Sequence, residues 1–212
     1  MQTIRIIFRK TGFLRYISHL DLQRAMQRAM ARAEIPLWHT QGFNPHSYLC
    51  FASPLSLGIN SVTEILDIKP NPEKRMPTNE IKTRLNAALT EDLAVSDVYE
   101  ADTSLNDIRY AEYSFKIEKH NNNDSDFRKM LNQNFIPVIK KTKRSEEEIN
   151  LKDEIAKIEI KDNNIKITLP AGNTKTIKPL LLITAFRDLT GKNPEYDITR
   201  EKFFTKDFNI FR

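Results

Sequence analysis

The sequence contains a single cysteine, Cys50, and this scarcity excludes several kinds of site. One thiol cannot form a disulfide within the chain, and it cannot supply the several thiolates of a zinc ribbon or an iron–sulfur cluster. Its surroundings at residues 47–53 are typical of an apolar strand, which predicts a buried structural cysteine rather than a nucleophile. The chain alone is therefore not expected to perform redox or metal–thiolate chemistry.

Long apolar runs are also missing. The N-terminal stretch MQTIRIIFRKTGF has no apolar segment long enough for a signal peptide, and no segment approaches the roughly 20 apolar residues of a membrane span. We therefore expect a cytoplasmic protein that has no membrane partner. A chain of 212 residues is long enough for one large domain or two small ones, and we predict two.

Acidic residues are scarce in the first 50 residues, and this scarcity accounts for the whole net charge of +5. Seven Lys or Arg side chains there are accompanied by two acids, whereas the other 162 residues contain 26 basic and 26 acidic side chains. Three of the four histidines lie in the same segment. Clustered positive charge fits a polyanionic partner, so we expect the functional surface here.

Hydrophobic periodicity predicts the order β-α-β-β-α-β in the first half of the chain. Alternation indicates a strand at residues 3–10, and Ser18 with Asp21 three residues later marks the start of a helix at 19–33. The remaining predicted elements are strands at 48–52, 64–69 and 95–99 and a helix at 77–89.

The second half repeats this order with one extra strand. Helices are predicted at 125–132 and 176–189, and strands at 112–119, 135–140, 155–160, 164–169 and 198–204, with a turn at Asp162–Asn163. We therefore predict an α+β fold of two ferredoxin-like halves, pseudo-duplicated, with domains at residues 1–105 and 106–212.

Three arginines recur every four residues of the first predicted helix and form what we call the arginine ridge: Arg24, Arg28 and Arg32. They lie opposite a predicted apolar face made of Leu22, Met26, Ala29 and Ala33. Like charges at this spacing repel, and the planar guanidinium matches phosphate, so the ridge favours an anionic partner such as RNA. The alternative is a solvated helix face whose arginines pair with carboxylates elsewhere, for example in a Glu-rich loop at residues 146–148.

Further candidates for an RNA or phosphate site surround the ridge. They are Arg15, Tyr16, Trp38, His39, Asn44 and His46, the last three in or beside the turn-forming loop Thr40–His46. We expect the three loop residues to line a pocket with Arg15 and His19. Five aromatic residues interleave with the basic ones: Tyr16 and Trp38 are predicted to stack on bases, and most of the others, Phe8, Phe13 and Phe43, to be core.

The histidines could act as catalytic groups rather than as binding groups. No two of them have the spacing of a metal-binding motif, so we predict no metal site. His19 follows Ser18 at a helix start, where it either packs beside the cap or serves a site that binds an anion. His19 and His46 are the candidate catalytic residues if the chain cleaves RNA by general acid–base chemistry.

The segment GFLRYISHLDLQRAMQRAMARAEIPL, followed by GFNPH and LCFASPLSLGINSVTE, resembles a radical-SAM-associated bacterial domain of unknown function. The likeness covers residues 3–70. Members of that family stand beside radical-SAM proteins or are fused to them, often near genes for ribonuclease E/G and a ribosomal protein. The resemblance implies a non-catalytic accessory or substrate-recognition protein that needs no cofactor, whose radical-SAM partner holds an iron–sulfur cluster and S-adenosylmethionine. Together with the arginine ridge and the polar loop, these gene neighbours make structured RNA, tRNA or rRNA, the expected substrate.

Two alternatives stay open. Tandem ferredoxin-like halves with an early histidine are also similar to the CRISPR repeat-processing endoribonucleases, which implies metal-independent RNA cleavage, although the glycine-rich loop expected near their C-terminus is missing. The other alternative is a protein-only adaptor that docks the radical-SAM partner through the same arginine face.

Overall fold

The computed structural model describes residues 2–141, 146–161 and 164–212. The chain divides into two units: the first runs to Asp107 and includes Arg212, and the second is Ile108–Phe211. The sequence-based boundary between residues 105 and 106 lies two residues before this division. Each unit combines antiparallel strands with helices, which confirms the α+β class. No helix within the described ranges is long and apolar enough to cross a bilayer.

The first unit follows the predicted order β-α-β-β-α-β. Its elements are β1 (Ile4–Lys10), α1 (His19–Arg32), β2 (Leu49–Phe51), β3 (Asn60–Ile68), α2 (Thr78–Ala88) and β4 (Val95–Glu100). The strands lie in the order β4-β1-β3-β2, and every neighbouring pair is antiparallel.

One face of this sheet carries both helices. Ile4, Ile6 and Phe8 alternate along β1 and are buried in one cluster with the apolar side chains of α1 and α2. The predicted helix cap is confirmed, because the Ser18 Oγ accepts a hydrogen bond from the Asp21 amide at 3.1 Å. The polar side of α1 is therefore left on the surface.

The second unit contains four strands in one sheet and a separate two-stranded hairpin. Its elements are β5 (Tyr110–Ile117), α3 (Asn123–Leu131), β6 (Pro137–Lys141), β7 (Glu146–Asn150), α4 (Leu151–Glu154), β8 (Lys157–Lys161), β9 (Asn164–Pro170), α5 (Leu180–Thr190) and β10 (Tyr196–Phe204). Four strands lie in the order β10-β5-β9-β8 with antiparallel pairing, whereas β6 and β7 form a separate two-stranded sheet.

Two predictions for this unit are wrong. Residues 146–148 are part of β7 rather than a loop, because this segment pairs antiparallel with β6, and apolar cross-strand neighbours such as Val138 and Ile149 stabilise the pairing. The last helix begins at Leu180 rather than at residue 176, because Pro179 caps it and proline favours the very start of a helix. The predicted turn at Asp162–Asn163 lies outside the described residues.

Candidate nucleic-acid interface

The arginine ridge lies on the exposed side of α1. The predicted apolar face is confirmed, and one further methionine belongs to it: the buried side chains are Leu22, Met26, Ala29, Met30 and Ala33. All three arginines of the ridge are exposed. The hydrophobic periodicity of the sequence therefore correctly predicted which side of this helix is buried and which side is exposed.

The three arginines have different partners. The Nη1 atom of Arg24 lies 3.4 Å from the Asp21 Oδ1 atom, which makes a loose, exposed ion pair. Arg28 forms no ion pair or hydrogen bond with any residue that the structure describes. The Nη2 atom of Arg32 donates to the Ala88 carbonyl at the end of α2, at 2.8 Å. Arg28 is thus the member of the ridge whose guanidinium is least committed within the chain.

The row of arginines winds gradually around the helix, which explains why Arg32 contacts the end of α2. Four residues turn an α-helix by about 400°, so each arginine lies about 40° further round than the one before. Arg32 is therefore rotated by about 80° relative to Arg24 and reaches the end of α2. A cation at a helix C-terminus offsets the partial negative charge of the last carbonyls, so this arginine stabilises the fold.

A cavity of about 430 Å³ adjoins the C-terminal end of the ridge. Arg32, Glu34 and Arg84 are among the residues that line it. Arg84 pairs with Glu34 at 3.6 Å and with Glu80 at 2.7 Å, so its charge is already neutralised. Both α1 and α2 end beside this cavity, and helix C-termini repel anions. Phosphate is therefore better accommodated in the middle of the ridge than at this end.

The 3-10 turn Gly12–Tyr16 precedes α1 and carries two candidates, Arg15 and Tyr16. The guanidinium carbon of Arg15 lies 4.9 Å from the centre of the Tyr16 ring, which is a cation–π contact. Tyr16 is 56% exposed, and Phe13 in the same turn is 88% exposed. The prediction of Phe13 as core is wrong, because the turn leaves the sheet and none of its residues is buried.

His19 packs against the sheet at the start of α1. Its ring centre lies 5.3 Å from that of Phe51 on β2, at an interplanar angle of 84°. Phe51 in turn makes an edge contact with the buried Phe8, at 6.3 Å between ring centres. Among the described residues, the His19 ring has no hydrogen-bond partner. This geometry agrees with the packing interpretation of His19.

Hydrogen bonds close the Thr40–His46 loop. The Thr40 amide donates to the His46 carbonyl at 3.0 Å, and the His46 amide donates to the Thr40 Oγ1 atom at 3.1 Å. The Nδ1 atom of His46 lies 3.1 Å from Thr40 Oγ1 and 3.3 Å from the Asn44 carbonyl oxygen. The ring is thus held through Nδ1, whereas its Nε2 atom has no hydrogen-bond partner among the described residues.

His39 is held by both of its ring nitrogens. Nδ1 donates to the Leu37 carbonyl at 3.1 Å, and Nε2 accepts from the Ser47 hydroxyl at 3.0 Å. His39 thus braces the base of the hairpin that carries the loop. Of the two loop histidines, His46 is the one with a ring nitrogen left for a partner.

Trp38 and Phe43 occupy opposite environments beside this loop. Trp38 is half-buried, and its amide donates to the Lys69 carbonyl at 2.9 Å. Phe43 is fully exposed, next to the exposed candidate Asn44. The prediction of Phe43 as core is wrong, because residues 41–46 form the tip of a hairpin and all of them are exposed.

Tyr48 and Cys50 lie on the other face of β2 from the helices. Leu49 and Phe51 pack on the core, and strand alternation turns their neighbours to the opposite side. Burial raises the pKa of the Tyr48 phenol above its ordinary value, and a hydrogen bond with Cys50 adds to the rise. Cys50 is only half-buried, so its predicted burial is wrong: β2 is the last strand in this unit's order and is covered incompletely.

The candidates fall into two groups, one at each end of α1. Arg15, Tyr16 and His19 lie at its start, whereas the loop histidines follow its end; a helix of 14 residues is about 21 Å long. Among the described residues, no hydrogen bond or ring contact joins His19 to either loop histidine. The structure therefore groups the loop residues with one another and Arg15 with Tyr16. Within the described ranges, no three His, Cys, Asp or Glu side chains are arranged to hold a metal ion.

Sequence reasoning missed two exposed apolar side chains, one on α1 and one before β3. Leu20 is 53% exposed and lies four residues before Arg24, so it continues the row of the ridge. Leu57, in the segment before β3, is 56% exposed. The four-residue spacing that identified the ridge also applies to Leu20 and would have revealed it.

Comparison with known proteins places the chain in a family without giving it an activity. No curated protein matches the sequence. The crystal structure of an unknown protein from Galdieria sulphuraria matches at 12% identity over 94% of this chain and 98% of that chain, with a TM-score of 0.27, too low to support any argument. A family model described as an uncharacterized protein conserved in bacteria (DUF2344) matches residues 3–179. Since that match covers most of its length, the chain belongs to this bacterial family.

Proposed function

We propose that this chain is a non-catalytic accessory protein that recognises structured RNA, a tRNA or rRNA, for a radical-SAM enzyme. The observation that carries RNA binding is the exposed pair Arg24 and Arg28. Arg24 has only the loose contact with Asp21, and Arg28 has no described partner in the chain. Guanidinium groups in this state bind phosphate with paired, charge-assisted hydrogen bonds. The Thr40–His46 loop adds a second contact surface after the end of the same helix.

The radical-SAM partnership rests on the sequence resemblance and on the cysteine count. A radical-SAM enzyme holds its cluster with several cysteines, and this chain has one. The partner would therefore carry the iron–sulfur cluster and S-adenosylmethionine, and this chain would bring the RNA. Co-purification of the two proteins from a co-expressing strain tests this half of the proposal.

We further propose that both units are ferredoxin-like and arose by duplication. Supporting this, the strand order β4-β1-β3-β2 of the first unit has its counterpart in the order β10-β5-β9-β8 of the second. The second unit then differs by the inserted β6–β7 hairpin and the short α4 that follows it.

Removing Arg24 and Arg28 should weaken RNA binding and its salt dependence together. For Arg24→Ala/Arg28→Ala, we expect the slope of log affinity against log salt to decrease by about 1.4 to 1.8, the values for two lost phosphate contacts on a single strand and on a duplex. Filter binding to cellular tRNA across a salt series measures it. The matched control is Arg187→Ala/Lys206→Ala, which removes two exposed cations of the second unit. Equal losses of RNA affinity in both variants would mean that the effect comes from net charge alone, which would contradict the proposed site.

The endoribonuclease alternative is favoured by one observation: the His46 ring is anchored through Nδ1, and its Nε2 atom has no partner among the described residues. If the chain cleaves RNA in this way, His46→Ala should abolish products that end in a 2',3'-cyclic phosphate, because the ring that moves the proton is gone. The packed His19 supplies the control: His19→Phe keeps an aromatic ring beside Phe51 and should leave cleavage unchanged. If the RNA stays intact with the wild-type protein, the endoribonuclease alternative is wrong, and RNA recognition without cleavage remains.

A further inference from the structure

An exposed apolar patch lies at the N-terminal end of the arginine ridge. We define it by four side chains, each more than half exposed: Phe13, Tyr16, Leu20 and Leu57. Phe13 and Tyr16 are three residues apart in a 3-10 turn, where side chains at this spacing lie one above the other. Leu20 shares the row of the ridge. Only Ile17 and Ser18 separate the turn that carries the two rings from α1, so the patch adjoins the N-terminal end of the helix that carries the ridge.

The loop after Leu57 holds Tyr16 in place. The Gly58 amide donates to the Arg15 carbonyl at 2.9 Å. Gly58 has a φ of +81°, and a Cβ atom there would lie 3.6 Å from the Tyr16 Cε1 atom, so the tyrosine ring packs close to this loop. The Arg15 guanidinium lies over the same ring. The Tyr16 ring is thus positioned before any partner binds.

The combination of rings and arginines discriminates between possible partners. Arginines alone would fit the phosphates of a duplex, and an apolar patch alone would fit a protein. Exposed rings directly beside arginines fit unpaired bases, which stack on aromatic faces while their phosphates contact the cations. Building on the proposed function, we infer that this surface takes RNA that is single-stranded at the contact, with bases stacked on Phe13 and Tyr16 and the backbone along Arg24 and Arg28.

Anisotropy titrations with two RNAs of equal length, one an unstructured single strand and one a fully paired duplex, test this inference. The Phe13→Leu variant keeps an apolar side chain but removes the ring. We expect it to lose about 5- to 150-fold in single-strand affinity, the range for one base–aromatic stack, with little change for the duplex. Phe135→Leu, which removes an exposed ring from the second unit, should bind both RNAs like the wild type.

The outcomes separate this inference from the proposed function. Equal wild-type affinity for the two RNAs, or unchanged single-strand binding by Phe13→Leu, would overturn the role of unpaired bases and leave RNA binding by the ridge standing. If the patch has a role that does not involve RNA, such as protein docking, Phe13→Leu would leave single-strand binding unchanged. Wild-type protein that binds neither RNA would remove the proposed function itself.

Discussion

We expect the Arg5→Met substitution to lower the free energy of unfolding of the first unit by about 3–5 kcal/mol. Arg5 is completely buried, and all five of its N–H donors are used. Nε and Nη2 each donate to Asp67 at 2.8 Å; the other bonds go to Thr103 Oγ1 at 2.7 Å, the Thr103 carbonyl at 2.9 Å and the Arg212 carbonyl at 3.0 Å. Methionine would leave the Asp67 carboxylate buried without its counter-charge.

The charge of Arg5 is maintained by its partner. Burial alone would lower the pKa of the Arg5 guanidinium, but the hydrogen bonds and charge of Asp67, together with a smaller contribution from Tyr99, outweigh burial and raise it. Removing both charges should therefore be less harmful than removing one, so Arg5→Met/Asp67→Leu is expected to recover part of the loss.

Urea unfolding, followed by circular dichroism and by hydrogen exchange of the β1 amides, measures these effects. The matched control lies on the same strand: Arg9 pairs with Glu91 at 3.2 Å in an exposed position, and Arg9→Met should cost less than about 1 kcal/mol. A similar cost for Arg5→Met and Arg9→Met would contradict the role assigned to the buried pair.

The burial of Arg5 also limits what the charge count of the sequence can predict. Arg5 and Lys10 contribute to the positive balance of the first 50 residues, yet both are buried. Strand alternation indicates that Arg5 faces away from the helices, but what covers that face comes from distant positions: Thr103 lies 98 residues away and Arg212 lies 207 residues away. Local sequence therefore overstated the exposed charge of this segment.

α1 was predictable because its signals are local. The Ser18 cap and the apolar spacing give a helix from His19, and the structure ends it at Arg32, one residue before the predicted end. The exposed sides of the same region were not predictable in the same way. Phe13 and Phe43 are large apolar residues of the kind that usually form a core. Each lies in a turn that leaves its ring exposed to solvent.

The site was predicted as a set of residues rather than as an arrangement. His39 and His46 do come together, because the hairpin that joins α1 to β2 pairs Thr40 with His46 and His39 with Ser47. Their relation to His19 depends on the length of α1 and on the direction of β2, which only the fold supplies. Spacing along the chain could not reveal that His19 would be packed on Phe51.

In the second unit, the largest expected effect comes from Phe127 on α3. Its ring lies 5.9 Å from that of Phe115 on β5 and 5.7 Å from that of Phe186 on α5, and all three side chains are completely buried. We expect Phe127→Ala to lower the free energy of unfolding by about 3–5 kcal/mol, because it removes buried apolar surface and leaves a cavity where three elements meet.

Hydrogen exchange of the β5 amides and urea unfolding measure this loss, with the exposed Phe135→Ala as the matched control, expected within about 0.5 kcal/mol of the wild type. A small cost for Phe127→Ala would mean that α3 and α5 collapse into the space, contrary to a rigid aromatic cluster. Every residue of the proposed RNA surface lies in the first unit. Below its unfolding transition, Phe127→Ala should therefore bind RNA with wild-type affinity. Arg24→Ala/Arg28→Ala should lose RNA affinity while it keeps wild-type stability. This pair of variants therefore separates RNA recognition from folding.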